Sequence, residues 1–230
     1  MYFIGFEMKL KHFLRLIILF LCVLIYPNSA FSTVTAEQAR LWANDKGLQI
    51  IEILTSRSAD KYNQLDEIFD RDVDTDYAAR FAAGKYWKQM SERQKDRYQP
   101  LFKRYLSALY KSYPLDLQAG SLDFEVEKII INQADIKVFC RIYFKRFTDV
   151  QTAESTENID VIFSLVEHDD DFKVRDFKIA ETGFLQTLRT RFYEKIHEAD
   201  DDIDWFLEDF SALVQNKENH QQEKITKLQF

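Results

Sequence analysis

The hydrophobic period of this chain changes twice, and those two switches constrain its fold more than any other feature. From Thr35 to Tyr113 apolar side chains recur at three- and four-residue spacing, as on one face of a helix. From Leu122 to Ala180 the chain is rich in β-branched and aromatic residues with alternation, the pattern of strands. After Phe184 the helical spacing returns. Helices, then consecutive strands, then helices describe an α+β protein in which helices pack over a curved antiparallel sheet of about four strands.

Local signals sharpen the boundaries. Thr35-Ala36-Glu37-Gln38 and Ser91-Glu92-Arg93-Gln94 fit the capping box, in which hydroxyl and amide satisfy each other's orphan backbone donors. They predict helices over about 35–55 and 91–113. Between them, 61–69 and 75–90 read as two further helices, with apolar faces carried by Leu65, Ile68 and Phe69, then by Tyr77, Phe81, Gly84 and Trp87. Pro100 falls inside the fourth helical pattern and predicts a kink, because it removes one hydrogen bond and crowds the preceding turn. Strands are expected over 122–131, 136–147, 159–168 and 172–180, with Asp169-Asp170-Asp171 as a tight hairpin. In the second strand Val138, Cys140, Ile142 and Phe144 share one face; Phe139 and Tyr143 share the other with Arg141 and Lys145. Two closing helices are expected over about 184–198 and 202–215.

The ends read differently from the middle. Lys9, Lys11 and Arg15 accompany an apolar run from Leu16 to Tyr26, Pro27-Asn28-Ser29 breaks it, and Ala30-Phe31-Ser32 offers small residues to a signal peptidase. The run is eleven residues long, against the ~20 that a permanent membrane-spanning helix needs. The expectation is a signal peptide over 1–32 cleaved near Ser32, headed by Met1 or Met8, a single domain over 33–215, and a polar, frayed tail over 216–230.

Composition narrows the function classes. Beyond the leader Cys140 is the only cysteine, so packing rather than an internal disulfide must hold the domain. The net charge of −7, without a basic stripe, argues against nucleic acid. His168, His197 and His220 do not stand at metal-ligand spacing, and neither acidic triplet, Asp169–Asp171 or Asp200–Asp202, continues into a calcium loop. No nucleophile elbow, phosphate-cradling glycine loop or dinucleotide fingerprint is present. The sequence therefore favours binding over catalysis, with no cofactor, metal or catalytic residue expected. The aromatic share, 15% with 20 Phe and 11 Tyr, points to either a ring-filled core or a lined apolar cavity.

Several stretches carry a family resemblance. Phe69-Asp70, Phe81-Ala82-Ala83-Gly84-Lys85-Tyr86-Trp87 and Ser91-Glu92-Arg93-Gln94, leading to Phe102 and Tyr113, are followed in order by Phe172-Lys173-Val174-Arg175-Asp176-Phe177 and by Leu188-Arg189 with Phe192. In order and spacing this resembles the MlaC family of toluene-tolerance proteins. The departures are Phe172 where the family has Trp, and Glu181-Thr182-Gly183-Phe184 where it has Gly-Val-Ser-Leu.

The resemblance implies a periplasmic phospholipid carrier working between an outer-membrane lipoprotein–porin complex and an inner-membrane MCE-domain ABC transporter. It also implies helices over a strongly bent sheet that encloses an apolar cavity for the acyl chains. On that basis Phe81, Trp87, Phe102, Tyr105 and Leu109 are expected to face Phe139, Tyr143, Val161, Phe163, Phe177, Leu188 and Phe192 across the cavity; the alternative is that the same residues fill a solid core. Arg80, Arg141 and Arg189 are the headgroup candidates, with Lys85 and Arg175 the other cations near the expected mouth. A hopanoid-like ligand, or an enzyme using Asp176 or Glu181 as a base on a small lipid, are the competing readings.

Overall fold

The computed structural model describes residues 35–228 apart from Ala59, 112–116, Ala134, 147–154 and Asp170. The leader and the ends of several expected elements lie outside them. The helices are α1 (Ala36–Thr55), α2 (Lys61–Asp72), α3 (Thr75–Ala83), a 3-10 turn (Gly84–Lys88), α4 (Glu92–Lys111), α5 (Phe184–Glu198) and α6 (Ile203–Leu228); the strands are β1 (Leu122–Asn132), β2 (Asp135–Arg146), β3 (Ser155–His168), β4 (Asp171–Ile179) and β5 (Thr182–Gly183). They form an antiparallel sheet in the order β1-β2-β3-β4-β5. The four expected strands are present, and the fifth is a two-residue return too short to leave a periodic signal.

Both capping boxes form. Thr35 Oγ1 accepts from the Gln38 amide at 3.2 Å while Gln38 Oε1 accepts from Thr35 N at 2.8 Å, and Ser91 and Gln94 do the same at 3.3 and 2.9 Å. The fourth helix runs unbroken through Pro100, which is exposed. The expected single helix over 75–90 instead tightens at Gly84, whose φ of 53° ends α3 and starts the 3-10 turn. A Cβ there would lie 2.2 Å from the Tyr193 hydroxyl, which accepts from Lys85 N at 2.8 Å. Both the backbone twist and the close approach therefore require glycine in the Ala-Ala-Gly-Lys segment.

The tail also departs from expectation. The last helix continues to Leu228, since Glu218 pairs with Arg104 and the buried Gln221 amide donates to the Ala108 carbonyl. Docking on α4, which the polar composition after Asn216 conceals, keeps this segment helical.

Two layers result. In the first, α1 lies on one face of the sheet, the inner face. Ala39 and Ala43 are small enough for close approach, and a Cβ at Gly47 would strike the Phe124 ring at 2.5 Å. Together with Val126, Ile136, Val138, Cys140, Leu165 and Phe172 they form one buried cluster. The second layer is a helical cluster of α3, α4, α5 and α6, separate from the first. Two β-bulges bend the strands: the first at Glu127 in β1, where the Arg40 guanidinium donates to the Val126 carbonyl, and the second at Arg175 in β4. At the second, Asp74 N donates to the Val174 carbonyl at 2.9 Å, stitching the α2–α3 junction to the sheet.

Candidate functional site

The core of the helical layer is closed. Tyr98 has no exposure, its hydroxyl donates to the Ala79 carbonyl at 3.1 Å, and burial pushes its pKa well up. Its ring lies within 6.5 Å of Trp87, Phe102, Phe192, Phe206 and Phe210, and the Phe192 ring also meets Phe102, Tyr105, Phe206 and Phe210. Four expected cavity residues, Phe102, Tyr105, Leu188 and Phe192, are buried inside this aromatic core. Phe81, Trp87 and Leu109 pack half-buried against it.

Register decides the sheet residues. Val161 pairs with Ile179, and Phe163 with Phe177, on the inner face that also carries Val138, Cys140 and Ile142. Phe139 and Tyr143 alternate onto the outer face, away from Val161, Phe163 and Phe177, so the grouping of all five around one cavity is corrected. There the Lys128 ammonium sits 5.8 Å from the Phe139 ring and the Tyr143 hydroxyl donates to Glu125 at 3.1 Å. Strand alternation forces this split: odd-numbered residues of β2 face opposite to odd-numbered residues of β3, because Phe139 pairs with Ile162.

Between the two closed cores lies a band of half-buried rings. Phe163 and Phe177 are 6.3 Å apart, and Phe177 stacks on Phe184 at 4.7 Å and 14°. Tyr77 and Phe81 stand 5.9 Å apart on α3. Toward the end of the sheet the inner face keeps Ile159 and Ile179 exposed, at 39% and 43%. Tyr77 and Phe184 were not among the expected site residues. Phe184 directly follows the Glu181-Thr182-Gly183 turn, and that position could have flagged it.

Two guanidiniums stack on the band. Arg175, the extra residue of the β4 bulge, lies 4.6 Å from the Tyr77 ring and its Nε donates to Asp74 at 3.0 Å. Arg189 lies 3.7 Å from the Phe81 ring and its Nε donates to the Phe81 carbonyl at 2.7 Å, one of the carbonyls left open at the C-terminus of α3. Among the described residues Arg189 has no carboxylate partner. The other headgroup candidates are placed elsewhere. Arg80 is exposed with its Nε on the Asp76 carbonyl at 3.1 Å. Arg141 lies on the outer face between Asp160 at 2.7 Å and Glu127 at 2.8 Å, and the hydrogen bond from Arg141 holds the Asp160 pKa below its ordinary range.

Asp176 is a structural acceptor. Its Oδ1 takes hydrogen bonds from Leu185 N at 3.0 Å and Phe177 N at 2.9 Å, capping α5 in place of Gly183, which has no side chain to do so. Glu181 sits exposed at φ 69° in the β4–β5 turn. Among the described residues no three His, Cys, Asp or Glu side chains gather as a metal site requires, and no helix is long and apolar enough to cross a membrane.

The MlaC protein family model matches residues 45–212, which is most of both layers. The chain belongs to the MlaC family. Among solved structures it is similar to a phospholipid-binding protein from Ralstonia solanacearum, determined in complex with a phospholipid, at 15% identity and a TM-score of 0.59, over 77% of this chain and 99% of that one. No curated protein matches the sequence. The α+β layout is as the resemblance implied, and the antiparallel sheet has one strand more than the four that the alternation predicts.

Proposed function

We propose that this MlaC-family protein binds a phospholipid, with the acyl chains between the helical layer and the inner face of the sheet, and carries it rather than transforms it. The observation that carries this reading is the band of Phe163, Phe177, Phe184, Phe81 and Tyr77: large apolar rings left half-buried between two cores that are each closed on their own. A solid protein would have merged those cores, because each buried ring contributes ~1.5–3 kcal/mol. Arg189 lies at the edge of the band with its terminal nitrogens free of carboxylate, a position suited to a lipid phosphate.

Carriage imposes full enclosure. Moving two sixteen-carbon chains from a bilayer into water costs ~25 kcal/mol at ~0.8 per methylene, so a shallow groove is insufficient. The proposed setting is the periplasm, reached by cleavage of the leader near Ser32. The proposed partners are an outer-membrane lipoprotein–porin complex and an inner-membrane MCE-domain ABC transporter. Asp176 supports carriage over catalysis, since a carboxylate committed to two backbone amides is poorly placed to take a proton.

Solvent extraction of protein purified from the cell envelope, followed by chromatography and mass spectrometry, tests this reading. A stoichiometric diacyl phospholipid is expected. A hopanoid would replace the ligand class, and lipid-free extracts would remove the function.

A further inference from the structure

The proposed lipid site leaves the outer face of α1 unused. Leu41 and Leu48 are the most exposed large apolar side chains among the described residues, at 60% and 62%. They stand seven residues apart, opposite the Ala39, Ala43 and Ile53 that α1 buries. Glu37, Asp45 and Glu52 share their face at three- and four-residue spacing, and none of the three has an ion-pair or side-chain hydrogen-bond partner among the described residues. Both basic residues of the helix turn inward instead. Arg40 donates to the Val126 carbonyl, and Lys46 lies 3.3 Å from Asp72 and 5.7 Å from the Trp42 ring. The charged groups of the outer stripe are therefore carboxylates only.

At its C-terminal end the stripe meets a cleft of about 450 Å³ between α1 and α2, walled by Gln49, Glu52, Gln64 and Glu67 above Ile53 and Ile68. The cation on its wall, Arg71, is held by Asp72 at 2.7 Å. Glu67, like Glu52, has no ion pair among the described residues. A lysine or arginine fits such a cleft, with its aliphatic stem over the isoleucines and its charged head between the carboxylates. A second copy of this face would oppose carboxylates to carboxylates, and an anionic membrane would be repelled in the same way.

We propose that the outer face of α1 docks a basic amphipathic helix of a partner protein, with the partner's apolar residues on Leu41 and Leu48 and one of its lysines or arginines in the cleft between Glu52 and Glu67. The inference does not depend on which lipid the protein carries.

A synthetic three-heptad helix with leucine at the a and d positions and lysine at e and g serves as the probe, titrated by fluorescence anisotropy against the full chain. Leu41→Ser with Leu48→Ser, and separately Glu52→Lys with Glu67→Lys, are expected to weaken binding roughly tenfold or more, as loss of central interface residues does. Glu194→Lys with Glu208→Lys, an acidic surface elsewhere, is expected to leave it unchanged. All six positions are exposed, so melting temperatures should stay at the wild-type value and a folding defect would be visible. Equal weakening by the two charge-reversed pairs, with no effect of the leucine changes, would reduce the effect to net charge, and unchanged affinity in every variant would remove the site; either result overturns the proposal. Sedimentation showing a dimer that Leu41→Ser and Leu48→Ser dissociate would reassign the face to a second copy. Leucine-dependent binding to phosphatidylglycerol vesicles would reassign it to a membrane.

Discussion

The helical core around Tyr98 and the ring band around Phe177 use the same kind of side chain for opposite ends. Around Tyr98 each ring meets several others and exposure falls to a few per cent. Around Phe177 the rings form a string, Phe163 to Phe177 to Phe184, and remain half-buried. Aromatic content alone therefore does not distinguish a core from a binding surface. What distinguishes them is whether neighbouring elements of the chain close over the rings.

Mutations can break that contrast. Phe192→Ala should cost about 3–5 kcal/mol, the usual loss for a ring removed from a close-packed core, measured by urea unfolding. Gly84→Ala should cost about 2–3 kcal/mol in the same assay, because the left-handed backbone costs ~1–2 and the displaced Tyr193 hydroxyl forfeits a hydrogen bond worth ~1. Phe177→Ala should cost only about 1–1.5 kcal/mol, as befits a half-buried ring, yet it should lower retention of bound lipid in native mass spectrometry. If Phe177→Ala proved as destabilising as Phe192→Ala and left lipid retention intact, the two regions would be one core.

Arg189→Gln sharpens the comparison at the edge of the band. It should lower stability by about 1 kcal/mol, since it removes a cation from the C-terminal end of α3 and from the Phe81 face, and it should slow lipid transfer to acceptor vesicles. Arg141→Gln, on the outer face, should leave transfer unchanged. A pH dependence is expected at Cys140, whose thiol is pushed up to about 12 by burial under α1. A folded pKa above the unfolded value of ~8.5 stabilises the fold at lower pH, and that contribution disappears as pH rises from about 8.5 toward 12. The urea midpoint of the wild type should therefore fall relative to Cys140→Ala across that window.

Much of the scaffold was legible in the sequence because its signals are local. The capping boxes at Thr35 and Ser91 and the strand alternation through Val138 and Cys140 are written within a few residues of one another. The site was less legible because its definition is non-local. Alternation separates Phe139 from Cys140, but only the pairing of Phe139 with Ile162 shows that Phe139 and Phe163 face opposite ways. Nor does helical spacing say that Phe102 and Phe192 would be closed in by Phe206 and Phe210 from the last helix. The same partner dependence hid the end of that helix, where Gln221 is held by a carbonyl 113 residues away in sequence.

In the proposed complex the acyl chains lie against the ring band and not within the helical core. Photolysis of the protein loaded with a phospholipid carrying a diazirine in its acyl chain, followed by peptide mass spectrometry, tests it most directly. Labels are expected on peptides bearing Phe163, Phe177 and Phe184. Labels confined to peptides bearing Phe102 and Phe206, or to the outer-face side chains of Phe139 and Tyr143, would contradict it.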